Sequence, residues 1–264
     1  MSQYATSADG TRIAFDRLGD GPAVIMVAAA MQFRAFDPAT VALSAALADE
    51  GFTVINYDRR GRGESPATSL GLSRDLDDIR ALIDVAGGSA ALFGSSSGAA
   101  IALAAASAGL PATKLALWEA PLSRAGGAEF LAGLRVRIAA GDGDATQAYF
   151  MKDMPPQWLE GAKNSPAWPV MTAMSASLEG DAEALAWAQS APPAELFSRI
   201  SQPTLVLVGE QPLPIFEAAA DTLGTHLPHA TVRQIAGANH SWDQAAIVAE
   251  LAGFLRPEAP RSTT

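Results

Sequence analysis

The chain has 264 residues, of which 49% are hydrophobic, and it contains no cysteine. This length suits one α/β domain with a buried core, and the lack of cysteine excludes a disulfide framework, a thiolate nucleophile and a cysteine metal site. Its 28 Asp and Glu residues outnumber its 18 Lys and Arg residues, so the net charge of -10 would repel nucleic acid phosphates and anionic lipid surfaces. We therefore expect neither nucleic acid nor a membrane as a partner.

The N-terminal segment and the longest apolar stretch both favour a cytoplasmic protein. Residues 1–12 are polar and lack the basic start and the apolar run of a secretory signal. Residues 99–110 form the longest apolar stretch, which is shorter than the ~20 residues that cross a bilayer. This stretch indicates a buried helix instead.

In chain order, short β-branched runs alternate with longer stretches of helical periodicity, which is typical of parallel strands joined by crossover helices. The predicted strands cover residues 11–18, 23–28, 52–57, 90–93, 114–118, 204–208 and 231–235. The predicted helices cover residues 39–50, 76–86, 98–108 and 245–255. We expect an α/β fold built on one mostly parallel sheet.

The fifth and sixth predicted strands are separated by about 80 residues, which is more than a crossover connection needs. Within this stretch, residues 121–196 contain several Gly and Pro breaks and favour a mostly helical cap over the strand ends. The expected core comprises residues 1–120 and 197–258, and residues 259–264 form a polar tail that we expect to be mobile. The methionines and tryptophans of the cap segment are Met151, Met154, Trp158, Trp168, Met171, Met174 and Trp187.

Residues 94–98, Gly-Ser-Ser-Ser-Gly, match the pattern G-x-S-x-G. In this pattern a strand turns sharply into a helix and exposes the central serine at the tip of the turn. Here an apolar strand precedes the motif, and the small residues Gly98, Ala99 and Ala100 begin a helix whose N-terminal dipole favours a developing anion. We therefore predict that Ser96 is a nucleophile. The alternative is an ordinary loop rich in serine and glycine.

Three histidines are available as the general base for this serine. His226 and His229 lie between a helix and the last predicted strand, where we expect solvent-exposed loop residues. His240 follows the last strand and precedes the final helix, so it lies at the edge where the carboxyl ends of the parallel strands meet. The chain order, with serine first and histidine near the end, is known for serine nucleophiles that use a histidine base. We predict that His240 is this base.

Three stretches resemble motifs of the alpha/beta-hydrolase superfamily, in the family's order and along essentially the whole chain. Residues 58–65 resemble the D-x-R-G-x-G-x-S turn after its fourth strand, residues 94–98 resemble its nucleophile elbow, and residues 237–240 resemble its histidine loop. The resemblance implies an eight-stranded, mostly parallel sheet flanked by helices, with a helical cap inserted after strand six. It also implies that neither a metal nor an organic cofactor takes part.

The chain departs from this family at the loop that supplies the first donor of the oxyanion hole. Many members carry His-Gly at the end of the third strand, where this chain has Ala28 and Ala29. By position, the resemblance implies an oxyanion hole made of the backbone N–H groups of Ala30 and Ser97. Backbone donors suit this role because they do not depend on side-chain identity.

The second departure concerns the acid that orients the histidine. Many members place it after strand seven, where this chain has Pro212 two residues beyond Glu210. A minority, including some haloalkane dehalogenases, carry the acid after strand six, and Glu119 directly follows the strand that ends at Trp118. A glutamate in this position is costly to bury unless it is paired. We predict that Glu119 orients His240, with Glu210, or no acid at all, as the alternatives.

Together these residues predict a cofactor-independent serine hydrolase that cleaves an ester-like bond of a small to medium, apolar substrate through an acyl-enzyme on Ser96. The methionines and tryptophans of the cap are candidates to line its pocket. The same residues would serve lactone opening, carbon–carbon bond hydrolysis or perhydrolysis, and the alternative from another class is a non-catalytic small-molecule-binding protein on this fold. Besides a small-molecule substrate, the sequence leaves a homo-oligomer open.

Overall fold

The computed structural model describes residues 2–122 and 126–257. Its strands form a single sheet in which the central six are parallel and the outer ones antiparallel. In chain order the strands are β1 (Gln3–Thr6), β2 (Arg12–Leu18), β3 (Ala23–Val27), β4 (Thr53–Tyr57), β5 (Ala90–Ser95), β6 (Ala112–Trp118), β7 (Thr204–Gln211), β8 (Ala230–Ala238) and β9 (Ser241–Trp242). Their spatial order is β1-β2-β4-β3-β5-β6-β7-β8-β9.

The sheet of the described residues has nine strands instead of the implied eight, and the short strands β1 and β9 lie at its two edges. β9 contains only Ser241 and Trp242, which fold back on β8 so that Trp242 lies opposite Gly237. Between β8 and β9, Asn239 and His240 have φ values of 54° and 64°, as a two-residue hairpin turn requires. The segment predicted as a loop is therefore a tight hairpin.

Helices cover both faces of the sheet and fill the long connection between β6 and β7. Those of the described residues are α1 (Pro38–Asp49), α2 (Leu72–Val85), α3 (Ser97–Ser107), α4 (Gly127–Ala139), α5 (Gly143–Phe150), α6 (Pro156–Lys163), α7 (Trp168–Ala173), α8 (Leu178–Trp187), α9 (Pro193–Leu196), α10 (Pro214–His226) and α11 (Gln244–Leu255). Within the part of the chain that the structure describes, none of them is both long and apolar enough to cross a bilayer.

The helix α2 begins four residues before the predicted residue 76, at Leu72. Two features that lie outside its apolar pattern extend it. Gly71 adopts a φ of 117°, which few other residues tolerate. In addition, the Leu72 N–H donates a hydrogen bond of 2.6 Å to Glu183 Oε2 in α8. A contact with a distant helix thus satisfies the first turn of α2.

The core lies on both faces of the sheet, because successive residues of a strand point to opposite sides. On one face, Ile25 and Leu92 belong to an apolar cluster with side chains of α2, α3 and α10. On the other face, Met26, Phe93 and Trp118 cluster with side chains of α1 and α11. The helix α3 is buried over ten of its eleven positions, as predicted for this apolar stretch.

The helices α4 to α9 lie between β6 and β7, in the segment that the sequence analysis assigns to a cap. The helix α8 packs against both α2 and α3 of the core. The division into a core and a cap over residues 121–196 stays a prediction, and residues 123–125 and the predicted tail at 259–264 lie outside the described residues. A separate apolar cluster in this segment contains Phe130, Leu134, Phe150, Leu178, Ala182 and Leu185.

Candidate active site

Ser96 occupies the turn between β5 and α3. Its φ of 53° and ψ of -125° are a strained conformation for a residue with a side chain. Two backbone hydrogen bonds hold it: the Ser96 N–H donates to the carbonyl oxygen of Trp118 at 2.8 Å, and the Ser96 carbonyl accepts from the Ala99 N–H at 2.9 Å. Ser96 is partly exposed, whereas its neighbours Ser95 and Ser97 are buried. The strand-turn-helix arrangement that the motif predicts is therefore present.

The two glycines of this turn are required by close packing. A Cβ built at Gly94 would press against the backbone of Ala99 in α3, and a Cβ at Gly98 would collide with the carbonyl oxygen of Val27 at the end of β3. Only glycine at these positions lets α3 begin so close to the central strands.

Glu119, the predicted acid, directly follows β6 and contacts His240. Its carboxylate is buried, and Oε2 forms a hydrogen bond with His240 Nδ1. The other oxygen, Oε1, accepts a hydrogen bond of 3.1 Å from the Gly209 N–H in β7. Since both oxygens are engaged, the carboxylate has one orientation, and it holds the proton of the histidine on Nδ1 with Nε2 free to accept another.

The imidazole of His240 is also fixed by stacking. The ring of Phe216 in α10 lies parallel to it, with centroids 4.4 Å apart and an interplanar angle of 5°. The indole of Trp158 in α6 lies further away, with centroids 6.2 Å apart and planes at 20°. The hairpin turn, the carboxylate and these rings together restrict the rotation of the side chain.

The loop after β3 differs from the prediction at Ala30. The Ala30 N–H donates a hydrogen bond of 2.9 Å to Ser97 Oγ, so it is not free to bind an oxyanion in this structure. In this structure the predicted oxyanion donor Ala30 is therefore already occupied, because the side chain of Ser97 accepts the hydrogen bond of its N–H. The N–H groups of Ala29 and Met31 flank that of Ala30, and both residues line a cavity that also contains Ser96 and His240 in its wall. Ser97 begins α3, where the first N–H groups have no partner within the helix.

A cavity of about 320 Å³ contains Ser96, Ser97 and His240 in its wall. The rest of the lining is mainly apolar, and among the residues that the structure describes its only acidic side chain belongs to Asp153. Of the cap residues predicted to line a pocket, Met151, Met154 and Trp158 do so. The remaining ones, Trp168, Met171, Met174 and Trp187, lie outside its lining.

The competing candidates lie away from this cavity. Glu210 is exposed near the end of β7, and its carboxylate takes no part in the hydrogen bond at His240 Nδ1. His226 and His229 are both exposed at the opposite end of β8, as expected, although His226 is the last residue of α10 and only His229 lies in the loop. Among the described residues, no three His, Asp or Glu side chains are grouped so that they could hold a metal ion.

The turn at residues 58–65 contributes buried charges that the sequence analysis missed. Arg59 and Arg62 are buried, and both pair with the carboxylate of Asp181 in α8. Asp75 in α2 binds the other side of Arg59 at 2.8 Å. Burial alone would raise the pKa of Asp181, but the two guanidinium groups outweigh it and hold this pKa below its ordinary value. The charged residues were visible in the sequence, but no local pattern links residue 62 to residue 181.

A family model described as the alpha/beta hydrolase family matches residues 24–251. The comparison with curated proteins finds no match. Among solved structures, an alpha/beta hydrolase from Sphaerobacter thermophilus is 35% identical with a TM-score of 0.85, over 96% of this chain and 100% of that chain.

Two further structures share the fold at lower identity. A hydrolase from Pseudomonas aeruginosa is 22% identical with a TM-score of 0.74, over 97% of this chain and 98% of that chain. A thermophilic esterase from Thermogutta terrifontis is 24% identical with a TM-score of 0.66, over 96% of each chain. Since the family model spans most of the sequence and the first structure aligns along nearly its whole length, the chain belongs to the alpha/beta hydrolase family.

Proposed function

We propose that this hydrolase cleaves an ester-like bond of a small to medium, mainly apolar substrate through an acyl-enzyme on Ser96. One observation carries the proposal: His240, bonded through Nδ1 to the buried carboxylate of Glu119, shares a cavity with the strained Ser96. A serine, a histidine and a buried acid in this relation are the components of acyl transfer by a triad.

In the proposed reaction, Ser96 Oγ attacks the carbonyl carbon while His240 Nε2 takes its proton. The carboxylate of Glu119 stabilises the imidazolium that forms. The oxyanion is bound by the Ser97 N–H together with a loop N–H, from Ala29 or Met31. His240 then protonates the leaving group, and a water molecule deprotonated by His240 hydrolyses the acyl-enzyme.

The cavity supports a small, apolar acyl group. Its volume of about 320 Å³ lies near the lower end of ligand pockets, which span roughly 300–1,000 Å³. Phe150, Met151 and Met154 supply apolar surface, and the Gln32 Oε1, which is buried without a hydrogen-bond partner among the described residues, is an acceptor beside this surface. The same residues would also serve lactone opening, carbon–carbon bond hydrolysis or perhydrolysis, since a triad does not fix the leaving group.

The proposal is tested with p-nitrophenyl esters of increasing acyl length. We expect the highest kcat/KM for short to medium chains and a loss of at least about 10^3 in kcat in Ser96→Ala. Met151→Ala enlarges the cavity and should move the preference toward longer chains. Met174→Ala, a buried methionine outside the lining, is its matched control and should leave the preference unchanged. Ester hydrolysis that survives in Ser96→Ala would contradict the proposal.

A further inference from the structure

One peptide group of the loop after β3 is held at both ends. The carbonyl oxygen of Ala29 accepts a hydrogen bond of 2.8 Å from Arg62 Nη1. The N–H of the same peptide group, which belongs to Ala30, donates to Ser97 Oγ at 2.9 Å. A peptide group bound at both its oxygen and its nitrogen has a fixed plane, because the peptide bond does not rotate.

Both of these anchors converge on a single carboxylate in α8. Ser97 Oγ donates to Asp181 Oδ1 at 2.6 Å, and Arg62 Nη2 pairs with Asp181 Oδ2. The contacts close a ring that runs from Asp181 through Arg62, the Ala29–Ala30 peptide and Ser97 back to Asp181. Without Asp181, neither the hydroxyl nor the guanidinium would have a charged group to orient it.

The side-chain part of the ring is dry. Arg62, Ser97 and Asp181 are 1%, 2% and 0% exposed, so the contacts that these three make with one another are shielded from water, while the Ala29–Ala30 peptide borders the cavity. Arg59 Nη1 donates a further hydrogen bond of 2.6 Å to Asp181 Oδ1, which adds a second cation beside the carboxylate. Hydrogen bonds between charged groups are stronger than neutral ones, and burial strengthens them further.

This fixed peptide plane anchors the loop at its centre and so limits where the flanking N–H groups of Ala29 and Met31, in the two adjacent peptide groups, can point. Donors aimed in advance at a developing oxyanion are among the largest contributions to acyl transfer. Here the loop has Ala29 where the family resemblance implies glycine, and Met31 is held at a φ of 65°. Such strain persists only where the surroundings fix the backbone. The ring around Asp181 supplies that fixation.

We propose that Asp181 is a positioning residue for acyl transfer: through Arg62 and the Ser97 hydroxyl it fixes the Ala29–Ala30 peptide and so aims the adjacent loop N–H at the oxyanion. The inference rests on the proposed function of Ser96. It gives the long segment between β6 and β7 a second role, because α8 then acts on the oxyanion hole as well as covering the core.

The test compares Asp181→Asn with Asp75→Asn. Both aspartates are buried and bind Arg59, but only Asp181 contacts Arg62 and Ser97. We expect Asp181→Asn to lower kcat on p-nitrophenyl esters by about 10-fold or more, with KM nearly unchanged. The loss should be smaller than the loss in kcat that follows complete removal of an oxyanion donor. The affinity for a trifluoromethyl ketone, which forms an oxyanion adduct, should fall by a similar factor. Asp75→Asn should change neither quantity per folded molecule.

Ser97→Ala is the second variant, in case Asp181→Asn folds poorly. It removes the hydroxyl but keeps the Ser97 backbone N–H, and we expect the same loss in kcat and in ketone affinity. Amide exchange at Ala30 should also become faster, since this N–H loses its acceptor.

Unchanged kcat in both Asp181→Asn and Ser97→Ala, or equal losses in Asp181→Asn and Asp75→Asn, would overturn the inference and leave the proposed function intact. A wild-type protein that neither hydrolyses the esters nor binds the ketone would overturn the proposed function, and the inference with it.

Discussion

Strain in the described backbone is concentrated at the active site. Every residue other than glycine with a positive φ in residues 2–122 and 126–257 lies in the cavity wall or next to it: Met31, Ser96, Glu119, Asn239 and His240. Each such conformation costs about 1–3 kcal/mol and is kept only where other contacts determine it. The proposed nucleophile, base and acid therefore hold their geometry at the expense of stability.

At the residue scale, Glu119→Gln is the sharpest test of the acid. The amide keeps the shape and an acceptor for the Gly209 N–H, but it loses the charge that stabilises the imidazolium of His240. We expect kcat to fall by about 10^2-fold or more, as acid-to-amide changes in such triads do. Glu210→Gln, at an exposed position, is the control and should leave kcat unchanged. The reverse pattern would assign the role to Glu210.

At the element scale, the packing of α3 against the central strands depends on glycine. Gly98→Ala would drive a Cβ into the carbonyl oxygen of Val27, so we expect a loss of about 1–3 kcal/mol in the free energy of unfolding. The matched control is Gly253→Ala in α11, where an added Cβ meets nothing within 4 Å. That change should stabilise the protein by about 0.5–1 kcal/mol, because alanine favours the helix. Urea unfolding of both variants measures the difference. Equal stability of the two would contradict the packing argument.

At this scale, the sequence predicts those features that are encoded by residues adjacent in the chain. The strand before Ser96, the turn and the helix after it are encoded within adjacent residues, and the structure has them. Glu119 could be paired with His240 because a carboxylate directly after a buried strand needs a partner. The oxyanion donor was not predictable in the same way. It depends on the hydrogen bond from the Ala30 N–H to Ser97 Oγ. These two residues are 67 positions apart and belong to different elements.

At the edges of the sheet, too, the local sequence does not predict every feature of the structure. The hairpin turn at Asn239 and His240 lacks the glycine of the strongest hairpin signals, although Asn and His adopt positive φ more readily than most residues, and β9 was predicted as a loop. Likewise, Asp181 lies 119 positions from Arg62, and only the folded chain brings these residues together. Contacts between side chains distant in sequence decide the details that the hydrophobic pattern leaves open.

At the scale of the whole molecule, the buried aspartate predicts acid lability. The pKa of Asp181 lies below its ordinary value when the protein is folded, whereas in the unfolded chain aspartate titrates near 3.9. Between these values the unfolded chain binds more protons, so stability falls as the pH falls through this window and is fully present above it. In Asp181→Asn this titration is absent. We therefore expect lower stability at neutral pH and a shallower loss in acid.

Urea unfolding at a series of pH values checks this prediction. Asp78, whose pKa is raised mainly by burial, changes stability in the opposite sense. Its effect is common to both proteins, so it cancels in the difference between wild type and Asp181→Asn. Identical slopes of stability against pH in the two proteins would contradict the prediction.

The most direct test of the central claim, that Ser96 is a nucleophile activated by His240, is labelling with a fluorophosphonate followed by peptide mass spectrometry. We predict a single adduct on Ser96 in the wild-type protein, no adduct in Ser96→Ala and labelling slower by about 10^2-fold or more in His240→Gln, since the base is lost. An adduct on Ser95 or Ser97, or an unlabelled wild-type protein, would contradict the account.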